Sequence, residues 1–490
     1  MVTAGDGRGP TLRTRAVALA VLAAALPAGC SAQTNPPSAV GTTTATLNGE
    51  MRCMSDVDGR WAWQWRQLGT SGWSSGAAFQ VACPPDQRAD ISGYQWSGAD
   101  QNPATPGFQD RGPGRPAYNL ANLKPDTTYQ YRLLADFGQP CDLRAPATCG
   151  DVAPFDSVGT PNGTRWDTLT TQPRCDDVQG ASESLAAFAS SNAAGTAASP
   201  KVLCMRQGTQ NIGQFDGIKA WTTLTPRGKP NGTKEVVVLN GNVALDSVGA
   251  TIEDVKVIGC YGSPGCPTSR DKVIDVRANN TALLHAEVSP RGGRNSDRIQ
   301  CVHVGSDNSQ LTGVRMEFSK SHSCGTEAAG NHYHGLYCRD AIQPRILGNW
   351  FYDNEGFGVQ MWPNCDSAVA AGNVIAFNGG ACDLSGFSPS RMSTNSVYRN
   401  GFCGFAREST LFPPVHCFNT ASNQVVDMVL YDIRDPSSVT DCASRELQQS
   451  GTYNADPQFV DAGRYDFRMQ NPFARAKLGV YAEIIPGPRW

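Results

Sequence analysis

The chain has few charged residues, and beyond its N-terminal region it has no long apolar run. Asp, Glu, Lys and Arg together make up 17% of the 490 residues, whereas globular proteins usually carry about 25%. The net charge of -3 argues against the basic surface that nucleic-acid binding requires, so we expect no nucleic-acid partner. After the first 30 residues, no apolar run reaches the roughly 18 residues of a membrane-spanning helix.

Motifs of several enzyme classes are also missing. The sequence has no Gly-rich phosphate loop, no dinucleotide-binding fingerprint and no zinc-protease motif. Its cysteines do not recur as CxxC pairs, which argues against zinc ribbons. Gly (51) and Pro (32) are abundant instead, and 40% of the residues are hydrophobic. This composition favours an exported all-β protein over a helical cytosolic enzyme.

The 17 cysteines indicate an oxidising compartment. Without Cys30 an even number, 16, remains, so all of them can pair. The short spacings of Cys141 with Cys149 and of Cys260 with Cys266 suit local disulfides, and the other pairings stay open.

The N-terminal 32 residues have the pattern of an export signal. Three arginines precede an apolar run at residues 16–26, which is the length of a signal peptide. Residues 26–30 (LPAGC) resemble a bacterial lipobox, and the resemblance implies lipidation of Cys30. Cleavage after Ala32 is the alternative. Both interpretations export the mature chain, secreted or anchored at the cell surface, and a lipid on Cys30 is the only membrane contact we expect.

Residues 33–42 are a polar, Pro-rich linker. The segment 36–172, which begins within it, alternates as strands do. The run from Leu123 to Tyr129 (LKPDTTY), with the closing strand TLTT at 168–171, resembles the fibronectin type III domain. That resemblance implies a β-sandwich in which Tyr129 forms a tyrosine corner. It also implies long insertions at 84–117 and 136–160.

Trp61, Trp63 and Trp65 fall on one side of a strand in this segment. They would either fill the core of the sandwich or form an exposed platform on which a sugar stacks. Residues 173–200 then read as a hinge that carries a short capping helix at 182–191, with Leu185, Ala186 and Phe188 on one side.

From residue 235 onward, short apolar strands recur between turn residues. In three stretches an asparagine is followed five residues later by another, with apolar residues between, at intervals of 24 and then 22 residues. A period of about 20–25 residues is typical of a β-solenoid. We expect these side chains to stack as interior ladders rather than to catalyse a reaction; the pairs are Asn349 with Asn354, Asn373 with Asn378, and Asn395 with Asn400.

Residues 201–490 resemble the right-handed parallel β-helix superfamily that includes the pectate lyases. The resemblance is carried by Val202–Gly208 as a first strand, by the Asn-bounded repeats, and by Asp456–Asp461 followed by Asp466–Gln470. We therefore predict an all-β chain, with an N-terminal fibronectin type III-like β-sandwich and a C-terminal right-handed parallel β-helix. The fold alone does not fix a function.

Strand alternation predicts which residues of the solenoid face outward. If the apolar residues point inward, as with Val302 and Val304, the residues between them form two outward columns. The first column is Asp275, His303, Tyr337, Gln360 and Ser385, and its neighbour is Arg277, Gly305, Arg339, Trp362 and Phe387. We interpret residues 319–333 as a loop beside these columns.

These residues predict a polysaccharide lyase that acts on an extracellular polysaccharide containing uronic acid. β-Elimination needs a base at C5 and a positive group or metal that neutralises the carboxylate. The candidate catalytic residues are Arg339, Tyr337, His334 and His303. The candidate substrate-binding residues are Arg277, Lys320, His332, Gln360 and Trp362. The candidate Ca²⁺ ligands are Asp275, Asp340 and Asp353, because calcium prefers oxygen ligands.

Two alternatives stay open at the level of sequence. A glycoside hydrolase on the same fold would use two carboxylates, supplied by Asp340, Asp353 or Glu355. A non-catalytic glycan-binding protein or adhesin would keep the aromatic edge and need neither acid nor base. A locally basic groove would favour the lyase, and a cleft centred on carboxylates would favour the hydrolase. Nothing in the sequence predicts the sugar, the linkage or the oligomeric state.

Overall fold

A computed structural model describes most of the solenoid and parts of the N-terminal region. The residues described are 31–52, 59–68, 70, 72–76, 79–81, 108–110, 116–136, 167–230, 233–262, 266, 271–293, 298–305, 310–326, 333–361, 365–366, 368–378, 380–383, 391–393, 396–398, 423–426, 429–431, 447–450, 453–454, 456–478, 481 and 485–490. Within these ranges no helix combines the length and the apolar character needed to span a membrane.

The N-terminal module consists of antiparallel strands in two sheets. Its strands are β1 (Ser31–Ser38), β2 (Ala45–Arg52), β3 (Gly59–Gln67), β4 (Ser74–Ser75), β5 (Phe79–Val81), β6 (Phe108–Asp110), β7 (Pro116–Leu120), β8 (Thr128–Asp136) and β9 (Asp167–Thr170). One sheet has the order β1-β2-β7-β6, and the other has the order β4-β3-β8-β9 with β5 also paired to β3.

Two aromatic residues, Trp63 and Tyr131, pack in the core of this module with buried leucines. Trp63 is fully buried, and its ring lies 6.2 Å from that of Tyr131. Trp65 is half-buried, 5.5 Å from Tyr118, so the interpretation as core holds for Trp63, while the side chain of Trp61 lies outside the described residues. The hydroxyl of Tyr129 accepts a 2.8 Å hydrogen bond from the backbone N–H of Lys124, which ties the start of β8 to the preceding turn.

The rest of the chain is built from short strands with two short helices. The strands are β10 (Asp177–Val178), β11 (Lys201–Met205), β12 (Gly208–Phe215), β13 (Thr222–Pro226), β14 (Val237–Leu245), β15 (Thr251–Glu253), β16 (Lys256–Gly259), β17 (Lys272–Val276), β18 (Ala282–Leu284), β19 (Glu287–Pro290), β20 (Gln300–Val304), β21 (Leu311–Thr312), β22 (Arg315–Glu317), β23 (Lys320–His322), β24 (Leu336–Cys338), β25 (Ala341–Ile342), β26 (Arg345–Leu347), β27 (Trp350–Tyr352), β28 (Phe357–Met361), β29 (Cys365–Asp366), β30 (Val369–Ala371), β31 (Val374–Ala376), β32 (Gly380–Asp383), β33 (Arg391–Ser393), β34 (Ser396–Tyr398), β35 (Asn423–Val426), β36 (Val429–Tyr431), β37 (Leu447–Ser450), β38 (Tyr453–Asn454), β39 (Phe459–Asp461) and β40 (Asp466–Met469). The helices are α1 (Leu185–Ser191) and α2 (Pro472–Leu478), with a 3₁₀ turn at Ala462–Arg464.

Strands β10 to β38 wind into a parallel β-helix. Each coil contributes one strand to each face, and that strand pairs in parallel with its equivalents in the coils before and after. Strand β14 turns a corner, because its first half pairs with β16 and its second half with β17. We call the ladder β17-β20-β24-β28-β32 face A and the ladder β16-β19-β23-β27-β31 face B. The predicted all-β solenoid is confirmed.

Two asparagine ladders run along the interior corners. The side chain of Asn349 donates to Oδ1 of Asn373 at 3.0 Å, and that of Asn354 donates to Oδ1 of Asn378 at 2.9 Å. All four are buried, and each also bonds to backbone of the preceding coil. The predicted interior role is confirmed for these four residues, whereas Asn395 and Asn400 lie outside the described residues.

Four disulfides close loops within the described part of the β-helix region. The predicted bond between Cys260 and Cys266 is confirmed. The others join Cys175 to Cys204, Cys301 to Cys324, and Cys338 to Cys365. Such a set is typical of proteins from an oxidising compartment. The predicted pair Cys141 and Cys149 lies outside the described residues.

Helix α1 packs against β12 and buries one side. The hydroxyl of Ser184 accepts from the backbone N–H of Ala187, which caps the N-terminus of the helix. The buried residues are Leu185, Phe188 and Ala189, which follow helical periodicity. The prediction that Ala186 belongs to the buried side is wrong, since that residue is exposed.

Candidate active site on face A

The first predicted column exists on face A for four residues. Backbone register places Asp275 beside His303, His303 beside Tyr337, and Tyr337 beside Gln360. On the next coil the partner of Gln360 is Asp383, so the placement of Ser385 is wrong. Strand β32 starts at Gly380, two residues earlier than the placement of Ser385 requires. The error is two residues, and a shift by an even number leaves each side chain on the predicted side of the strand.

A buried carboxylate holds the histidine of this column. The Oδ1 atom of Asp275 lies 2.9 Å from Nδ1 of His303, and Oδ2 accepts a 2.8 Å hydrogen bond from Nε of Arg277. The side chain of Asp275 is 1% exposed. Burial alone raises the pKa of Asp275, but the hydrogen bonds from His303 and Arg277 outweigh it and lower that pKa overall. Asp275 therefore stays ionised with both oxygens occupied.

His303 directs its second nitrogen away from this contact. If Nδ1–H donates to Asp275, the other nitrogen, Nε2, is the basic one. Within the described part of the chain Nε2 makes no hydrogen bond, and 12% of the side chain is exposed. The ring of Tyr337 lies 5.7 Å away at an angle of 53°. The arrangement is that of an oriented general base with a phenol beside it.

The second column adds two arginines to this site. The residues just before Arg277, Gly305 and Arg339 are paired in register on β17, β20 and β24. The backbones of the two arginines therefore lie two strand spacings, about 10 Å, apart. A Cβ at Gly305 would lie 2.5 Å from Cγ of Arg339, which shows that the arginine stem crosses the glycine. The Nε atom of Arg339 donates to Asp340 at 3.0 Å. Two ion-paired arginines, Arg277 with Asp275 and Arg339 with Asp340, thus flank His303.

His334 is buried below this surface. It is 2% exposed, and its Nδ1 accepts a 2.9 Å hydrogen bond from the backbone N–H of Phe357. Its own backbone exchanges hydrogen bonds with the amide side chain of Gln300. These contacts favour a structural role, in which His334 supports Tyr337 at a ring distance of 5.5 Å. Gln360 is half-buried at the far end of the column.

The predicted Ca²⁺ ligands are engaged in three separate contacts. Asp275 binds His303 and Arg277, Asp340 binds Arg339, and Oδ2 of Asp353 accepts from the hydroxyl of Ser323 at 3.0 Å. Among the residues that the structure describes, these three carboxylates are not within reach of one shared ion. The set does not fit a Ca²⁺ site, and a dependence on calcium stays a prediction.

Other predicted residues lie elsewhere. Lys320 belongs to face B, where register places it between Glu287 and Trp350. The interpretation of residues 319–333 as a loop is wrong at its start, because Lys320–His322 forms β23. His332, Trp362 and Cys30 lie outside the described residues.

Sequence reasoning missed a second carboxylate–histidine pair on face B. Glu287 accepts a 2.5 Å hydrogen bond from Nζ of Lys256 and lies 3.4 Å from Nε2 of His322. Burial raises the pKa of Glu287, but these hydrogen bonds outweigh it and lower that pKa to about 2. The ring of His322 stacks on Tyr352 at 4.6 Å. Only the pairing of β19 with β23 could have revealed this site, and the loop interpretation hid it.

A buried charge cluster fastens the N-terminal module to the coil. Asp126 of the module, together with Glu253 and Asp254 of the coil, forms the one group of three convergent carboxylates found among the described residues. Two cations occupy it. The ammonium of fully buried Lys234 contacts Asp126 and Asp254, and the Arg489 guanidinium lies 2.6 Å from Glu253 and 2.5 Å from Asp254. The cluster is therefore an ion-pair network rather than an open metal site.

No family model matches this chain, and no curated protein matches it. Three solved structures of the sensor domain of the anti-sigma factor RsgI4 from Pseudobacteroides cellulosolvens are similar to part of it. A short form shares 13% identity, with 22% of this chain and 84% of that domain covered and a TM-score of 0.15. A solution structure shares 14% identity, with 29% of this chain and 74% of that domain covered and a TM-score of 0.17. A long form shares 12% identity, with 28% of this chain and 96% of that domain covered and a TM-score of 0.14. Likenesses this weak carry no inference about fold or function.

Proposed function

We propose that this protein is an exported polysaccharide lyase that cleaves a uronate-containing polysaccharide by β-elimination. The observation that carries the proposal is the contact between buried Asp275 and His303, with Arg277 and Arg339 beside it. The module of two antiparallel sheets would be fibronectin type III-like, and the β-helix would be right-handed and pectate lyase-like. The mature chain would be secreted or anchored through a lipid on Cys30.

His303, Tyr337 and the two arginines each have a role in this reaction. The Nε2 atom of His303 takes the proton from C5, the electron pair forms the C4–C5 double bond, and the C4–oxygen bond breaks. Arg277 and Arg339 bind the uronate carboxylate and stabilise the negative charge that develops on it. Tyr337, next to His303, donates a proton to the departing oxygen.

A glycoside hydrolase is less well supported by these contacts. It needs one protonated carboxyl group and one carboxylate, about 5–9.5 Å apart. Of the carboxylates named for it, Asp340 is paired with Arg339 and Asp353 accepts a hydrogen bond from Ser323, while Asp275 is ionised and 1% exposed. A pure binding role would leave the orientation of His303 by Asp275 without a purpose.

The test is absorbance at about 235 nm, where the unsaturated uronate product of elimination absorbs. Wild-type protein and the Arg339→Met variant are mixed with a panel of uronic-acid polysaccharides, with calcium and with a chelator. We expect a rise with wild type and a rate at least about tenfold lower with Arg339→Met. The matched control is Arg345→Met, because Arg345 is exposed on another face and pairs with Glu317.

A rise that persists unchanged in Arg339→Met would remove that residue from the site. The absence of a rise on every polymer would contradict the lyase. New reducing ends without absorbance would then indicate hydrolysis, and binding without either would indicate a binding protein.

A further inference from the structure

A cleft lies where face B meets the N-terminal module. Its volume is about 460 Å³, within the range of roughly 300–1,000 Å³ that is usual for small-molecule sites. Three elements enclose it. The module contributes Thr128, Thr168 and Thr170, the coil contributes Lys320 and Glu287, and the C-terminal segment 485–490 closes one side.

Lys320 brings a cation into this cleft without a close counter-ion. Glu287 is already bound by Lys256 and His322, and Asp466 is bound by Arg468. No carboxylate of the described residues forms an ion pair with the Lys320 ammonium, which lies 5.2 Å from the centre of the Trp350 ring. Burial lowers the pKa of Lys320. A partly desolvated cation of this kind is stabilised when an anion enters beside it.

Other parts of the lining carry hydroxyl groups and an aromatic ring. The hydroxyls of Thr128 and Thr170 lie 2.9 Å apart, and Arg489 donates to Thr128 at 3.1 Å. Thr168 lies two residues before Thr170 on β9 and so points to the same side of the strand. The indole of Trp490 is held by a 3.3 Å hydrogen bond to the Asp254 carbonyl and is 37% exposed.

We propose that this cleft binds one uronate unit of an acidic saccharide as a second, non-catalytic site. The carboxylate would bind the Lys320 ammonium, the sugar hydroxyls would bind the threonine wall, and one face of the ring would pack on Trp490. The choice of a uronate rests on the proposed function, whereas the anion site on Lys320 does not.

Binding of tri-galacturonate is measured by titration calorimetry and by tryptophan fluorescence in the full chain. All proteins carry His303→Ala and Arg339→Met, which disable the face A reaction and weaken uronate binding there without touching the cleft. We expect Lys320→Met to weaken binding at least about tenfold and Lys320→Arg to retain it. Lys272→Met is the matched control, because Lys272 also projects from the coil but pairs with Asp271. Trp490→Phe should abolish the fluorescence change.

Two results with tri-galacturonate overturn the proposal: no binding when the cleft residues are unchanged, or the same affinity in Lys320→Met as in the protein with Lys320. Two results with other ligands also overturn it: the neutral galactose trimer binds as tightly as tri-galacturonate, or inorganic phosphate does, which would leave a plain anion site. Circular dichroism is used to check that each variant is folded. The two proposals fail separately. Saccharide binding that needs Lys320, with no absorbance rise at about 235 nm, would retain the cleft and reject the lyase.

Discussion

Faces A and B each carry a carboxylate–histidine pair on successive strands, and the two pairs differ in the second ring nitrogen. On face A, Nδ1 of His303 contacts Asp275 at 2.9 Å, and Nε2 has no hydrogen-bond partner among the described residues. On face B, His322 uses both nitrogens, one toward Glu287 at 3.4 Å and the other toward the Ser323 hydroxyl at 3.1 Å.

The tyrosines beside the two histidines also differ, because one is tilted against its histidine and the other is stacked on it. Tyr337 tilts by 53° against His303, whereas Tyr352 stacks on His322 at 7° and itself stacks on Tyr465 of the C-terminal segment. A carboxylate beside a histidine therefore does not identify a catalytic base by itself. A base also needs a nitrogen that is not already bonded, and of these two histidines His303 alone has one among the described residues.

The largest expected effect comes from exchanging each histidine for glutamine. His303→Gln should lower the rate of elimination by about 10²–10⁴, the usual contribution of a general base. His322→Gln should change it less than about twofold, because His322 has no free nitrogen to offer and lies on the other face. Initial rates at saturating polyuronate measure both. Equal losses in the two variants would break the distinction between the faces.

The next effect is a pH-dependent difference in stability. The folded pKa of Glu287 is about 2, below its ordinary 4.5, so its stabilising contribution is complete above about 4.5 and is lost as pH falls toward about 2. At neutral pH Glu287→Gln should therefore lower the free energy of unfolding by up to about 3 kcal/mol. Urea unfolding between about pH 6 and pH 2 should show the two proteins converging in acid.

Asp275→Asn is the counterpart on face A. The pKa of Asp275 is also lowered, so its contribution too should disappear in acid. A difference from wild type that stays constant down to the lowest pH, in either variant, would contradict the charge-based explanation. A difference confined to one variant would show that only that pair stabilises the coil.

Sequence alone could predict one column of the site because that column depends on a period of two. Buried Val302 and Val304 bracket His303, and the same alternation recurs on neighbouring strands, so local pattern fixed the outward residues. The prediction of Ser385 failed because the loop length before β32 is not encoded in that period. The prediction that Lys320 lies beside the face A columns was wrong for a related reason, since periodicity does not say to which face a short strand belongs.

The face B pair and the cleft lay beyond sequence reasoning for a different reason. They depend on contacts between residues far apart in the chain, such as Arg489 with Thr128 and Tyr465 with Tyr352. No local pattern predicts where a C-terminal segment folds back against a coil. The asparagine ladders, by contrast, were predictable, because each repeat places its asparagines at the same two corners.

The smallest expected effect tests whether the C-terminal segment fixes His322. Tyr465→Ala removes one ring of the stack, whose ring centres lie 4.6 Å apart, and should cost about 0.5–1.5 kcal/mol of stability. Phe473 is similarly exposed, at 43% against 38%, but lies outside this stack, so Phe473→Ala should cost no more than about 0.5 kcal/mol. Chemical denaturation measures both. Because His303 has no contact with Tyr465, elimination by the Tyr465→Ala variant should match wild type. A fall in that rate would mean that the two faces are coupled. The site of His303 and the site of His322 could then no longer be treated as independent.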